Sequence, residues 1–250
     1  MDQNRLSEYL HKYLQVDLFT DIAPNGLQVE GTSIIKKIIT GVSASVELFN
    51  RAIQEQADCV LVHHGIIWNF ERPLFRGSYR ERIRLLLEHN INLYAYHLPL
   101  DAHPEVGNNA QICKRLGLGS IEPFGEYKGQ LIGMKGYIEE TEKDEVFKRI
   151  ESVMSKKCLI YPFGSDGIKS IAVISGGGQK DVAQAIEAKI DLFITGEVSE
   201  FIMHLAKEEK IHFIAAGHYA TEKFGILALG EHLSKQFAIE TLFIDIPNPA

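Results

Sequence analysis

The chain predicts an α/β fold built from two intertwined, duplicated α/β repeats, with mixed, largely parallel sheets flanked by helices. Three observations lead there. Short, solidly apolar segments alternate with segments of helical periodicity, the pattern of strands buried in a mostly parallel sheet. Several of the apolar segments stop abruptly on histidine, glycine or an acid, as strands do when their carboxyl ends carry a site. The second half also restates the first: Asp58 and the strand after it match Asp191 and its strand, at the same offset of 133 that relates Ala52-Ile53 to Ala185-Ile186.

In chain order, residues 3–14 form a helix with Leu6, Tyr9, Leu10, Tyr13 and Leu14 on one face. Ala23-Pro24-Asn25-Gly26 is a turn. Residues 34–42 read as a strand, 45–56 as a helix with Val46, Phe49, Ala52 and Ile53 inward, and 58–63 as a strand. A loop bearing Trp68, Phe70, Pro73 and Phe75 follows; the rings of Trp68, Phe70 and Phe75 suit packing between subunits, with stacking of a base at the mouth of a pocket as the second reading. Then come a helix over 79–88, a strand over 91–96, and Gly107-Asn108-Asn109 opening a helix that runs to Leu116. The glycine-rich stretch 117–129 is the expected seam, dividing a first repeat, 1–125, from a second, 126–250, with the metal site between them. Beyond it, strands are expected over 131–137, 168–175, 190–195, 212–216 and 240–246. Helices are expected over 142–154, 181–188, from about 198 to 209, and over 221–235. Gly176-Gly177-Gly178 before a helix could cradle an anion, but without a following Lys-Ser/Thr a plain turn is the favoured reading.

Composition narrows the function. Among 250 residues the formal charge is -7, with 26 Lys and Arg against 33 Asp and Glu. The chain contains no basic block, which argues against nucleic-acid binding through a basic face but not against a small anionic substrate. Three cysteines without a CxxC spacing read as reduced core residues of a cytoplasmic protein. The first helix has no hydrophobic signal core, and no apolar run approaches the roughly 20 residues that span a bilayer.

The chemistry gathers around Val62-His63-His64-Gly65. Adjacent histidines on a continuing strand point to opposite faces. At a strand end both can reach one pocket and bind two different metal ions. At the offset of 133, His64 falls opposite Glu197; at 121, His97 falls opposite His218 and Asp101 opposite Glu222, an acid four residues after each histidine. Imidazole with carboxylate suits zinc, iron, manganese, nickel or cobalt. Two such ions roughly 3.5–4 Å apart share a hydroxide and hold a substrate atom between them. Either Asp101 or Glu222 could bridge. Glu197 is a candidate proton carrier or a helix-capping acid. His204 reads as a core or surface histidine, and His11, His89, His103, His212 and His232 as structural or solvent-facing.

The runs APNGLQVEG, VHHG, YHLPLDAHPEVGNNAQ, FITGEVSE and AAGHYATEKFGI resemble those of the GTP cyclohydrolase I type 2 family, the Ngg-interacting-factor-like dinuclear metal proteins, in its short bacterial form. The resemblance covers nearly the whole chain. It implies two divalent ions per chain on His63, His64, Asp101, His218 and Glu222, with His97 beside them as ligand or supporting donor. It also implies a homohexameric toroid and a hydrolase that opens the purine ring of GTP or a related nucleotide, with Glu197 or His97 moving protons. The other class compatible with these residues is a non-catalytic protein that stores or delivers metal, or an interaction scaffold. Fold and motif alone do not choose between them.

Overall fold

A computed structural model describes every residue except Glu71 and Pro73, so Pro73 of the aromatic loop lies outside the described residues. The elements in order are α1 (Gln3–Tyr13), β1 (Gly26–Val29), β2 (Lys37–Ser43), α2 (Val46–Gln54), β3 (Cys59–His64), α3 (Gly77–Glu88), β4 (Asn92–Ala95), α4 (Leu98–Ala102) and α5 (Asn108–Arg115). They continue with β5 (Gly119–Tyr127), β6 (Gln130–Glu142), α6 (Lys143–Met154), β7 (Leu159–Pro162), β8 (Gly167–Ile174), α7 (Val182–Glu187), β9 (Leu192–Thr195), α8 (Ile202–Glu208), β10 (His212–Ala215), α9 (His218–Phe237) and β11 (Glu240–Phe243). The chain forms two compact units: Met1–Leu100 with Gly225–Pro247, and Asp101–Phe224 with Asn248–Ala250.

The first unit holds a sheet in the order β1-β4-β3-β2-β11. All its neighbours run parallel except β1, which is antiparallel to β4. Cys59 to His63 are all buried, which is why β3 reads as an unbroken apolar run instead of alternating. Val60 and Val62 join Leu48, Phe49 and Ala52 of α2 in one core cluster. Ser45 starts α2 by accepting the Leu48 amide hydrogen.

The second unit holds the order β5-β6-β8-β9-β10-β7, parallel only along β8-β9-β10. Its core gathers Ile171, Val173, Leu192, Ile194 and Ile214 against Ile112, Ile150 and Met154 from helices. Residues 119–127, read from sequence as a glycine-rich seam, form β5. It pairs with β6 through a two-residue turn at Lys128 (φ 50) and Gly129 (φ 84), both left-handed. Such turns match the twist of the strands they join. Strand β1 likewise occupies ground read only as a turn, because four half-buried residues give too short a pattern to recognise.

The two units share a β-α-β-α-β run with the same local bonds. Lys36 and Lys37 amides donate to Asp58 Oδ2, and Lys169 and Ser170 amides to Asp191 Oδ2. Left-handed residues recur at Gln56 and Lys189, then at Asn90 and Lys210. The first pair keeps the offset of 133; in the third strand it becomes 120, since Asn92 N–H bonds Asp58 O and His212 N–H bonds Asp191 O. Strand register therefore sets His97 opposite Gly217, not opposite His218, and matching the histidines themselves slips the correspondence by one residue. His97 leaves the end of β4, whereas His218 opens α9.

No helix among the described residues is long and apolar enough to cross a membrane. Cys59, Cys113 and Cys158 are free thiols; burial pushes the Cys113 thiol up to about 12.

Candidate metal centre

In the first unit three imidazoles gather where β3 and β4 end. His63 and His64 ring centres lie 4.6 Å apart, His63 and His97 5.1 Å, and His64 and His97 5.7 Å. Each of the three offers a nitrogen within 4.8 Å of the others, so the trio could hold a metal ion. The strand stops at His64, and Gly65 lets the chain turn past Gln28: a Cβ there would sit 2.2 Å from Gln28 Oε1, which accepts the Ile66 and Ile67 amides.

Each ring is anchored through Nδ1. His63, fully buried, donates from Nδ1 to the Tyr96 carbonyl at 2.9 Å. A carbonyl only accepts, so the proton is on Nδ1 and the ligand lone pair on Nε2. His64 Nδ1 meets Ser43 Oγ at 3.0 Å. His97 Nδ1 lies 2.8 Å from Asp21 Oδ1. The Asp21 carboxylate also accepts from Asn25 Nδ2 and the Leu98 amide. Burial pushes the Asp21 carboxyl up, but its bonds and charge contact with His97, together with Asn25 and Leu98, outweigh this and bring it down to about 2. Asn25 Oδ1 accepts the His97 amide at 2.7 Å, which gives the Pro24-Asn25-Gly26 turn a part in building the cluster.

In the second unit the donors are mainly carboxylates. Asp101 and Glu222 are both buried, with oxygens within 4.8 Å of each other. Asp101 Oδ1 accepts from Asn108 Nδ2 and from Ser175 Oγ, each at 2.9 Å. One helical turn separates His218 from Glu222, so both lie on the same face of α9, with Nε2 to Oε2 at 3.0 Å. His218 Nδ1 meets Glu197 Oε1 at 2.7 Å. Burial pulls the His218 imidazole down, but the bond to Glu222 and its charge, then those of Glu197, raise it to about 9. It thus holds a proton between two carboxylates.

Gly176 makes room for this arrangement. Its φ is +62, and a Cβ there would meet Glu222 Oε1 at 2.1 Å and His218 Nε2 at 3.2 Å. Buried carboxylates, imidazoles anchored through Nδ1 and a glycine cleared for Glu222 are what a divalent transition ion requires of its surroundings. The donor chemistry fits such ions.

The expected metal and proton-carrying residues divide between these clusters: His63, His64 and His97 lie in the first, and Asp101, His218, Glu222 and Glu197 in the second. Glu197 is partly exposed and bonded to His218. The sequence reading missed Asp21, Ser43, Asn108 and Ser175. Asp21, Ser43 and Ser175 carry no spacing signal, whereas Asn108 sits in the noted Gly107-Asn108-Asn109 run. Trp68 has ring contacts with His64 (5.8 Å) and His97 (5.5 Å), so it borders the first cluster.

Comparison with known proteins places the chain in a family. The model of the family described as Duf34/NIF3 (NGG1p interacting factor 3) matches residues 1–249. A Haemophilus influenzae protein named "GTP cyclohydrolase 1 type 2 homolog" is 47% identical over the whole of both chains. A Yersinia pestis protein of the same name is 46% identical over 98% of each. Among solved structures, a Thermus thermophilus protein superposes with a TM-score of 0.92 at 35% identity, over all of both chains.

Proposed function

We propose, of a chain that belongs to the Duf34/NIF3 family, that its two clusters work as one dinuclear metal centre between two duplicated repeats. His63, His64, Asp101, His218 and Glu222 would hold two divalent ions drawn from zinc, iron, manganese, nickel and cobalt, with His97 beside them. The reaction is hydrolysis of a cyclic amidine C–N bond, with the purine ring of GTP or a related nucleotide as substrate. The observation that carries this reading is the division of donors: anchored imidazoles in one unit, and two buried carboxylates with a bonded histidine in the other. The shared strand register supports the duplication.

Bound ions would supply Lewis acidity and a water made nucleophilic near neutral pH. The rest falls to the protein. Asp21 and the Tyr96 carbonyl keep His97 and His63 in fixed tautomers and orientations. Asn108 and Ser175 fix the Asp101 carboxylate. Glu197, partly exposed and bonded to His218, would carry a proton to the departing ring nitrogen, which cannot leave as an anion. The name printed for the relatives points to the same substrate, and a homo-oligomer, hexameric by resemblance, is the assembly expected in the cytoplasm.

The test is a nucleotide and metabolite screen on metal-reconstituted protein, read by mass spectrometry. His63→Ala serves as the metal-site control and Glu197→Gln as the proton-transfer variant. The reading requires metal-dependent loss of a nucleotide that Glu197→Gln slows while both ions stay bound. If protein holding both ions leaves GTP and every other nucleotide unchanged, metal storage or delivery, or a scaffold role, takes its place.

A further inference from the structure

The aromatic residues after β3 are arranged around the imidazoles in a way that metal binding does not require. Trp68, the single tryptophan of the chain, has its ring centre 5.5 Å from His97 at an interplanar angle of 82° and 5.8 Å from His64 at 49°. It therefore meets the imidazoles edge-on or tilted, and parallel stacking on them does not occupy its faces. Phe70 then lies 5.7 Å from Trp68 at 31°, and is 69% exposed. An aromatic ring left that open gains little from folding. Here it extends, ring after ring, outward from the cluster that the proposed chemistry uses.

We propose that Trp68 and Phe70 form a stacking ledge for a planar nitrogen heterocycle of nucleobase size, which holds the ring of the substrate against the His64–His97 side of the centre. This rests on the reading of that centre as one that acts on a heterocycle. The occupant follows from the position of the ledge. A ring bound there has its edge at the imidazole cluster and its face on an aromatic surface, and base–aromatic stacking tolerates any base because every base has a π-face. The ledge would therefore set ring affinity and placement, and leave recognition of substituents to polar groups.

Zinc-reconstituted protein suits the test, because a closed-shell ion adds no redox chemistry. The probes are GTP, guanosine and inorganic tripolyphosphate, followed by the emission of Trp68 and by calorimetry. GTP and guanosine should change the emission. Phe70→Ala should weaken both by about 5- to 150-fold, the range that loss of a base–aromatic stack gives, and Phe70→Tyr should restore them. Tripolyphosphate should bind wild type and Phe70→Ala equally. In turnover, Phe70→Ala should raise KM more than it lowers kcat. Unchanged GTP and guanosine affinity in both Phe70→Ala and Trp68→Leu overturns the ledge, as does failure of any base-bearing probe to bind. The two readings separate cleanly. Stacking without turnover keeps the ledge and removes the hydrolase, whereas full turnover with unchanged KM in both variants keeps the hydrolase and removes the ledge.

Discussion

The two units place different chemistry on the same backbone positions. At the offset of 133, His64 stands where Glu197 does, and Ser43 stands where Gly176 does. In the first unit the end of β2 therefore carries a hydroxyl that reaches His64 Nδ1 at 3.0 Å. In the second unit the equivalent position has no side chain, and the Glu222 carboxylate occupies the space. With the same turns and the same aspartate caps on their strands, one unit is imidazole-rich at this end and the other carboxylate-rich. A mixed nitrogen and oxygen donor set favours transition ions over calcium or magnesium.

Removal of one donor from each unit should break the comparison most severely. His63→Ala in the first unit and His218→Ala in the second should each lower the metal content from about two ions per chain to about one or none, read by elemental analysis of purified protein. If both variants keep the wild-type stoichiometry, neither unit contributes to a metal centre.

The Ser43/Gly176 pair gives the next effect. Gly176→Ala adds a Cβ at 2.1 Å from Glu222 Oε1 and places alanine at φ +62. The backbone strain alone costs about 1–2 kcal/mol, which lowers the melting temperature by roughly 2–8 °C in a chain of this size, and the displaced carboxylate should cost metal as well. Ser43→Gly removes only one hydrogen bond to a ring, worth about 1 kcal/mol or less. Thermal melts and metal titration of the two variants should show the second unit far more sensitive than the first. Equal responses would mean that Gly176 is a turn residue and nothing more.

Much of this was legible in the sequence, for reasons that particular residues make plain. His63 and His64 end a solid apolar run, and such a run marks a strand buried on both faces. Asp101 and Glu222 follow histidines by four residues, a spacing the eye can match without knowing register. Register itself was not legible: only the backbone bonds of Tyr96 to Val62 and of Ala216 to Thr195 reveal that His97 and His218 differ by one position. Nor was Asp21, because an acid before a Pro-Asn-Gly turn looks like any turn acid until β4 ends against it. The β5–β6 hairpin was hidden because its turn uses Lys128-Gly129 and not the Asn-Gly that signals such turns.

Smaller effects are expected from the carboxylates that anchor imidazoles, Asp21 on His97 and Glu197 on His218. Asp21→Asn should keep the fold and weaken metal affinity by roughly 10- to 100-fold, the usual result of losing a ligand's hydrogen-bond partner, whereas in Glu197→Gln the amide oxygen can still accept from His218 and excess metal should keep both ions bound. Competition with a chelator of known affinity measures this. If Asp21→Asn leaves both affinities intact, His97 is a packing residue and not a member of the centre.

The smallest effect distinguishes the other ends of the same strands. Asn92 and His212 occupy equivalent positions and do the same work, each tying a passing segment to its strand by both a donor and an acceptor. Asn92 Oδ1 accepts the Gly31 amide at 2.9 Å, and its Nδ2 donates to Thr32 O at 2.8 Å. His212 Nδ1 accepts the Gly164 amide at 3.2 Å, and its Nε2 donates to Ser165 O at 2.7 Å. Both are fully buried, but only the histidine titrates. Burial holds its pKa below the ordinary 6.5, more than the Ser165 carbonyl and the charges of Asp191 and Asp166 restore, while Lys143 lowers it further. Protonation would put a second N–H on Nδ1, facing the Gly164 N–H, and break that bond. Between the depressed native value and 6.5, the unfolded chain takes up a proton that the native one refuses. His212's contribution is therefore whole above pH 6.5 and lost as the pH falls below it. The loss equals the free energy of that shift, the gap between the native value and 6.5. Urea midpoints measured from pH 8 to pH 5 should decline for the wild type. In His212→Asn, which gives the second unit the side chain of the first, stability should start lower, since the edge contact with Phe147 is gone, and its decline should be shallower by that same amount. Parallel pH profiles for the two proteins would place the titrating group elsewhere and leave Asn92 and His212 alike in position but not in consequence.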